Sequence, residues 1–272
     1  MMDSRKVDNH HFRHAGVRRS PAVVVSIIVF SFIFLIPSLI HAFTDAEMAH
    51  LQSVVRNRDI GERIAFWAEQ FVGTPYDRDP QGEYVSRRVI VSDERVDCMY
   101  HVFRSLELAL ADTPVDAVKV ALDKRFHTQG VLERGVVVNY EDRFQYGEDM
   151  IDSGKWGKEV TASVGKTMTV KGTRGKGPVE ILSTEELCRR TGRLRSGDFI
   201  FFIRNPKKRT QHELVGHIGI VKVEHGDGGR GDKVYLIHAN GTKKKGGVVR
   251  KVLLDDYLRK TSHIGARITR YP

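Results

Sequence analysis

Val96-Asp97-Cys98-Met99-Tyr100-His101-Val102-Phe103 is the stretch on which the reading of this chain turns. A β-branched lead-in gives way to Asp97, a residue type that accepts hydrogen bonds from the free N–H groups of a helix start. Val102, Phe103, Leu106 and Leu110 then recur on one face, which predicts a helix with a buried side. Cys98 falls in its first turn, where unpaired backbone N–H groups favour a negative charge. A thiol placed there is a candidate nucleophile.

Working outward, two histidines lie downstream in strand-like runs. They are His217 in Val215-Gly216-His217-Ile218-Gly219-Ile220-Val221 and His238 in Tyr235-Leu236-Ile237-His238-Ala239-Asn240. The glycine-rich stretch from His225 to Gly231 predicts a hairpin turn between these strands, which would bring both imidazoles to one face. His238 could then hold one nitrogen of His217 while the other faces Cys98, and a thiolate–imidazolium pair is the expected resting state. Asn240 is the fallback for the orienting role. His101, one turn after Cys98, could also reach the sulfur.

Elsewhere, Ile64, Trp67, Ala68 and Phe71 predict a helix over 60–72, stopped at Gly73-Thr74-Pro75. Tyr84 to Val91 carries β-branched residues suited to a strand. Asp112-Thr113-Pro114 restarts the chain into a helix ending near Phe126. Residues 130–178 are less regular, with a strand expected over Lys166–Val170. Ser183 and Glu186 form a capping pattern for a short helix containing Cys188. Strands follow over 198–204, 215–223, 233–238, 248–252 and 266–270, with a helix over 253–260. Helices first and an antiparallel sheet afterwards make an α+β domain.

The chain has 272 residues and a net charge of +10, which favours an anionic partner. Arg5, Lys6, Arg13, Arg18 and Arg19 precede an uncharged apolar run from Pro21 to Ile40, and Ala42 follows it. That order predicts an export signal over 1–42, with retention of residues 21–40 as a signal anchor as the alternative to cleavage. Residues 43–62 read as an N-terminal helix and connection, and 63–272 as the main domain. The domain is therefore expected outside the cytoplasm, periplasmic or otherwise extracytoplasmic, which argues against nucleic acid as the partner and limits membrane contact to the N-terminal segment. Only Cys98 and Cys188 are available for a disulfide, and pairing them would remove the nucleophile. Cys98, His101, His217 and His238 could also compose a zinc site by residue type. His212-Glu213-Leu214-Val215-Gly216-His217 has one residue too many for a zincin helix, and Gly172–Gly177 lacks the spacing of a phosphate loop.

Five segments, in order, resemble the NlpC-type cell-wall cysteine hydrolases of papain-like fold. They are Phe71-Val72-Gly73-Thr74-Pro75-Tyr76, Asp97-Cys98, Leu194-Arg195-Ser196-Gly197-Asp198-Phe199-Ile200-Phe201-Phe202, Gly216-His217-Ile218-Gly219-Ile220 and Ile237-His238-Ala239. The longer link before the cysteine, Arg143-Phe144-Gln145-Tyr146, and Asp256-Tyr257-Leu258 with Gly265 and Arg270 are similar to the branch described as N-acetylmuramoyl-L-alanine amidase-like. The resemblance implies Cys98 as nucleophile, His217 as base and His238 as the orienting residue, with Tyr76, Arg143 and Tyr146 contacting substrate. It implies no cofactor and no metal, and a peptidoglycan or muropeptide substrate. Met99-Tyr100-His101 departs from the small residues usual after that cysteine and predicts a crowded pocket. Three functions remain open from sequence: a thiol amidohydrolase, a non-catalytic envelope-binding module that keeps the fold, and an acyltransferase using the same thiol.

Overall fold

The structure, a computed structural model, describes residues 43–208, 213–226 and 231–272. The expected export segment lies outside the described residues. Among the described residues no helix is long and apolar enough to cross a membrane.

The helices are α1 (Asp45–Val55), α2 (Ile60–Gln70), α3 (Glu83–Ser86), α4 (Cys98–Leu110) and α5 (Pro114–Lys124), then α6 (Gly147–Ser153), α7 (Thr161–Val164), α8 (Thr184–Arg189) and α9 (Leu254–Lys260). The strands are β1 (Leu132–Glu133), β2 (Val136–Val137), β3 (Lys158–Glu159), β4 (Thr167–Val170) and β5 (Val179–Ser183). After them come β6 (Phe199–Ile203), β7 (Val215–Glu224), β8 (Lys233–Thr242), β9 (Gly246–Leu253) and β10 (Gly265–Arg270). β1 and β2 form a small hairpin. The other strands make one antiparallel sheet in the order β4-β5-β10-β6-β7-β8-β9, with β3 also on β10. The fold is α+β: α1 to α6 precede the strands of the main sheet, while α7, α8 and α9 fall between them, so the expected order of helices first holds only for the N-terminal part.

Both faces of the sheet are covered, which is why all five residues of β6, Phe-Ile-Phe-Phe-Ile, are buried. Phe199, Phe201, Ile218, Ile220 and Ile237 pack on one side with Trp67 of α2 and Val102, Phe103 and Leu106 of α4. Ile200, Phe202, Val221, Leu236 and Ile268 pack on the other with Leu187 of α8 and Leu254 and Leu258 of α9. α1 joins the first side through Met48, and Gln52 Nε2 donates to Ala111 O at 3.2 Å.

The expected strand at 84–91 is absent. Asp77 Oδ2 accepts from Glu83 N at 2.7 Å and starts the single turn of α3, while Arg88 takes a left-handed backbone conformation, φ 55°. Tyr84 and Val85 turn into the core instead of alternating across a sheet. β5 and α6 were not expected from the sequence; both lie in or beside the irregular 130–178 stretch.

Three sequence motifs turn out to brace the fold. Gly73 N and Tyr76 N donate to Val249 O and Gly247 O at 3.0 and 2.8 Å, and Val96 N donates to Pro75 O at 3.0 Å. The Gly-Thr-Pro-Tyr segment is therefore a rail that ties the lead-in of α4 to β9. Asp198 holds Arg270 through bonds of 2.6 and 2.7 Å, so these two residues close the end of the sheet. Gly197 has φ 83°, and a Cβ on it would lie 2.5 Å from Gly61 Cα; only glycine fits where this turn meets α2.

Candidate active site

Cys98 opens α4. Asp97 caps the helix, its Oδ1 accepting from Tyr100 N at 2.9 Å. The residue pairing of β7 with β8 begins only at Ile220–Ile237. Below that point Ile218 still pairs with β6, but its N–H points to the vacated edge and is directed at the Cys98 sulfur. The thiol thus stands where a strand partner would have been. Cys98 from the helical side and His217 from β7 line the same cavity.

His217 is cross-strand from Phe202 on β6, and its diagonal neighbour across β7 and β8 is His238. The two rings meet edge to face at 4.9 Å, and His217 Nε2 lies 2.8 Å from His238 Nδ1. One of these nitrogens carries the shared proton. When it is His217 Nε2, Nδ1 of that ring remains free to take a proton. His238 is buried behind its neighbour, and Tyr257 of α9 packs edge-on against it at 5.1 Å. His263 stacks on His217 at 6.4 Å.

Cys98, His217, Tyr76, Arg143 and Tyr146 all line one cavity of about 420 Å³. The expected residues are therefore gathered at one place, with His238 as backing. Both cysteines are free, and Cys188 is elsewhere, 3.8 Å from Asp255 on α9. Asn240 is exposed, and the orienting position is filled by His238.

The crowding expected from Tyr100 and His101 does not occur. Tyr100 points into the core, where its hydroxyl donates to Asp93 at 2.8 Å and accepts from Ser92 N at 2.6 Å. Arg125, held by Glu107 at 2.6 and 2.7 Å, lies over the Tyr100 ring at 4.7 Å. His101 is wholly buried, and its Nε2 is 3.2 Å from Ala68 O, facing away from the cavity. It does not serve the sulfur, and among the described residues no three His, Cys, Asp or Glu side chains are grouped to hold a metal ion. Met99 is the residue after the cysteine that does reach the cavity wall.

Electrostatics correct a further expectation. Cys98 lines the cavity as a half-buried residue, yet protein surrounds its thiol closely enough to desolvate it. Desolvation, helped by the Asp97 carboxylate, pushes the thiol up to about 12. The Ile218 N–H, the Lys243 ammonium and the helix-start N–H pull the other way and lose. Burial also lowers His217 well below its usual range, and the charges of His238, His263 and His101 add to that; His238 falls to about 4. The resting pair is thus neutral thiol and neutral imidazole, not the ion pair expected from the helix start alone. Such a pair can transfer the sulfur proton to the ring as a carbonyl is attacked.

Sequence reading missed Lys243, Arg204 and His263. Lys243 Nζ bonds Asp97 Oδ2 at 2.9 Å and lies 5.8 Å from the centre of the Tyr76 ring. Gly241 gives Tyr76 its place, because a Cβ there would come within 2.5 Å of the ring. Burial and nearby acidic groups raise the Tyr76 phenol, so it stays a hydrogen-bond donor.

Comparison with solved structures gives the fold a context. An N-acetylmuramoyl-L-alanine amidase from Bacteroides uniformis superposes with TM-score 0.58 at 21% identity, covering 77% of this chain and 97% of that one. Protein LPG0564 from Legionella pneumophila superposes with TM-score 0.60 at 15% identity, covering 84% and 94%. This chain shares their fold. No family model matches the sequence, and no curated protein does.

Proposed function

We propose that this protein is an exported thiol amidohydrolase of papain-like, NlpC-type fold that cleaves an amide bond in peptidoglycan or its muropeptides. What supports the reading is that Cys98 and His217 line one cavity, with His217 Nε2 2.8 Å from His238 Nδ1. Likeness in fold to a structure named N-acetylmuramoyl-L-alanine amidase supports the choice of substrate.

In this reading the Cys98 sulfur attacks the amide carbonyl carbon while its proton passes to His217 Nδ1. His238 Nδ1 accepts from His217 Nε2–H and fixes the tautomer. The Cys98 N–H at the helix start and the Tyr76 hydroxyl are the donors on hand for the oxyanion. His217 gives the proton to the departing amine. The acyl group stays on sulfur until water, activated by the same ring, releases the acid. The N-terminal basic and apolar stretch supplies export, and the domain works in the periplasm or another extracytoplasmic space.

Mass analysis of products from defined muropeptides tests this and identifies the bond: muramoyl–L-Ala cleavage is expected, and cleavage within the stem peptide would give different fragments. Cys98→Ala should abolish both. One observation favours a second reading, the non-catalytic envelope module: the raised thiol. Failure of Cys98 to alkylate in the folded protein, together with absent turnover, would select it.

A further inference from the structure

The cations around the cavity are not equally partnered. Three cations, Arg143, Arg204 and Lys243, line it with two carboxylates, Asp97 and Glu213. Lys243 pairs with Asp97 at 2.9 Å, and Arg204 Nη2 with Glu213 at 3.1 Å. Arg143 donates to Tyr140 O and has no carboxylate partner among the described residues. Buried Asp77 also lies 3.8 Å from Lys243, so Arg143 is the lining cation without a carboxylate of its own.

Arg204 has a further peculiarity. It leaves the end of β6 and lies across Gly216, the residue before His217; a Cβ on Gly216 would be 2.3 Å from Arg204 Cγ. The missing side chain at Gly216 is thus what gives the arginine its path along the cavity wall. Glu213 occupies one terminal nitrogen, but the buried Nε has no hydrogen-bond partner. The side chain as a whole is part-exposed on the cavity wall, 38%, so its charged end is open to an acceptor there. The positive charge is also close enough to His217 and His263 to hold both rings toward neutrality.

We infer that Arg204 is a specificity-determining residue that binds a carboxylate on the leaving-amine half of the substrate, through the part-exposed end of its guanidinium and with Arg143 as the second cation on the same cavity wall. The inference rests on Cys98 and His217 acting in this cavity, and it names the substrate class: amides whose amine portion bears a nearby free carboxylate. His217 faces the departing amine, and Arg204 lies beside His217, so the anion belongs on that half. An arginine offers planar, charge-assisted donors matched to a carboxylate.

A matched pair of thiol-directed labels tests this without needing turnover. Bromoacetylglycine and bromoacetylglycinamide differ only in carboxylate against carboxamide, on the side of the amide that mimics the amine half. Labelling is followed at Cys98 by peptide mass mapping in the purified full-length protein. The carboxylate reagent should label Cys98 about tenfold faster or more at low reagent concentration, the size of one hydrogen bond to a charged group. Arg204→Gln should bring that ratio close to one. An unchanged ratio, or equal slowing by both reagents, would overturn the assignment. A variant-free arm guards against misfolding: in the native protein N-acetylglycine, but not N-acetylglycinamide, should protect Cys98 from the neutral label, and absence of that difference would also overturn it. Selective labelling with no muropeptide cleavage would sink the amidase reading while leaving the anion site standing.

Discussion

His101→Gln should flatten the acid limb of the stability curve. His101 is fully buried, with Nε2 on Ala68 O and no partner for Nδ1, and Phe71 packs against its ring at 5.9 Å. Burial lowers it from 6.5 to about 4. As pH falls, the unfolded chain therefore binds this proton first, so the stability His101 contributes is present above pH 6.5 and is lost down to about pH 4. A lowering of that size corresponds to a ceiling of about 3 kcal/mol, most of which should already be lost at about pH 4.5. Gln keeps a donor for Ala68 O and does not titrate. Urea unfolding at about pH 7.5 and about pH 4.5 should then show the native protein losing on the order of 2–3 kcal/mol more than the variant. The remaining histidines are common to both proteins and cancel in the difference. Parallel losses in the two proteins would refute the assignment of His101 as a neutral core residue.

Other expected outcomes follow from the same geometry. Cys98→Ser should reduce muropeptide hydrolysis to background, read by amine release. His238→Ala removes the group holding His217 Nε2 and should lower kcat by about 10²-fold or more with little change in KM, since positioned acid–base groups contribute that much. Lys243→Met removes the cation at Asp97 and should slow alkylation of Cys98 at neutral pH, measured with a neutral reagent. Glu107→Gln leaves buried Arg125 without its counter-charge and should cost about 3–5 kcal/mol in urea unfolding.

Much of the fold was legible in local signals. Asp97 before an apolar helix face, and the apolar runs of β6, β7 and β8, carry their own period and ends. β7 and β8 pair antiparallel and their histidines lie within hydrogen-bond distance, so both do reach one face. The strand expected at 84–91 failed because Asp77 and Arg88 impose a turn that β-propensity does not register. Tyr100 and His101 were read as crowding the thiol because sequence shows neighbours along the chain, not which way a helix turns them. Their destinations, Asp93 and Ala68, are set by tertiary packing. Arg204 and His263 gave no pattern to find: each reaches the site from a loop, and their partners lie on other elements. The thiol was expected to be acidified by its helix start, and burial with Asp97 outweighs that field.

The central claim is that the sulfur of Cys98 carries the acyl group during turnover. Rapid acid quench of the protein mixed with a defined muropeptide, followed by peptide mapping, should find the acyl half of the substrate attached to the peptide containing Cys98. Steady release of amine with no such adduct, continuing undiminished in Cys98→Ala, would contradict it.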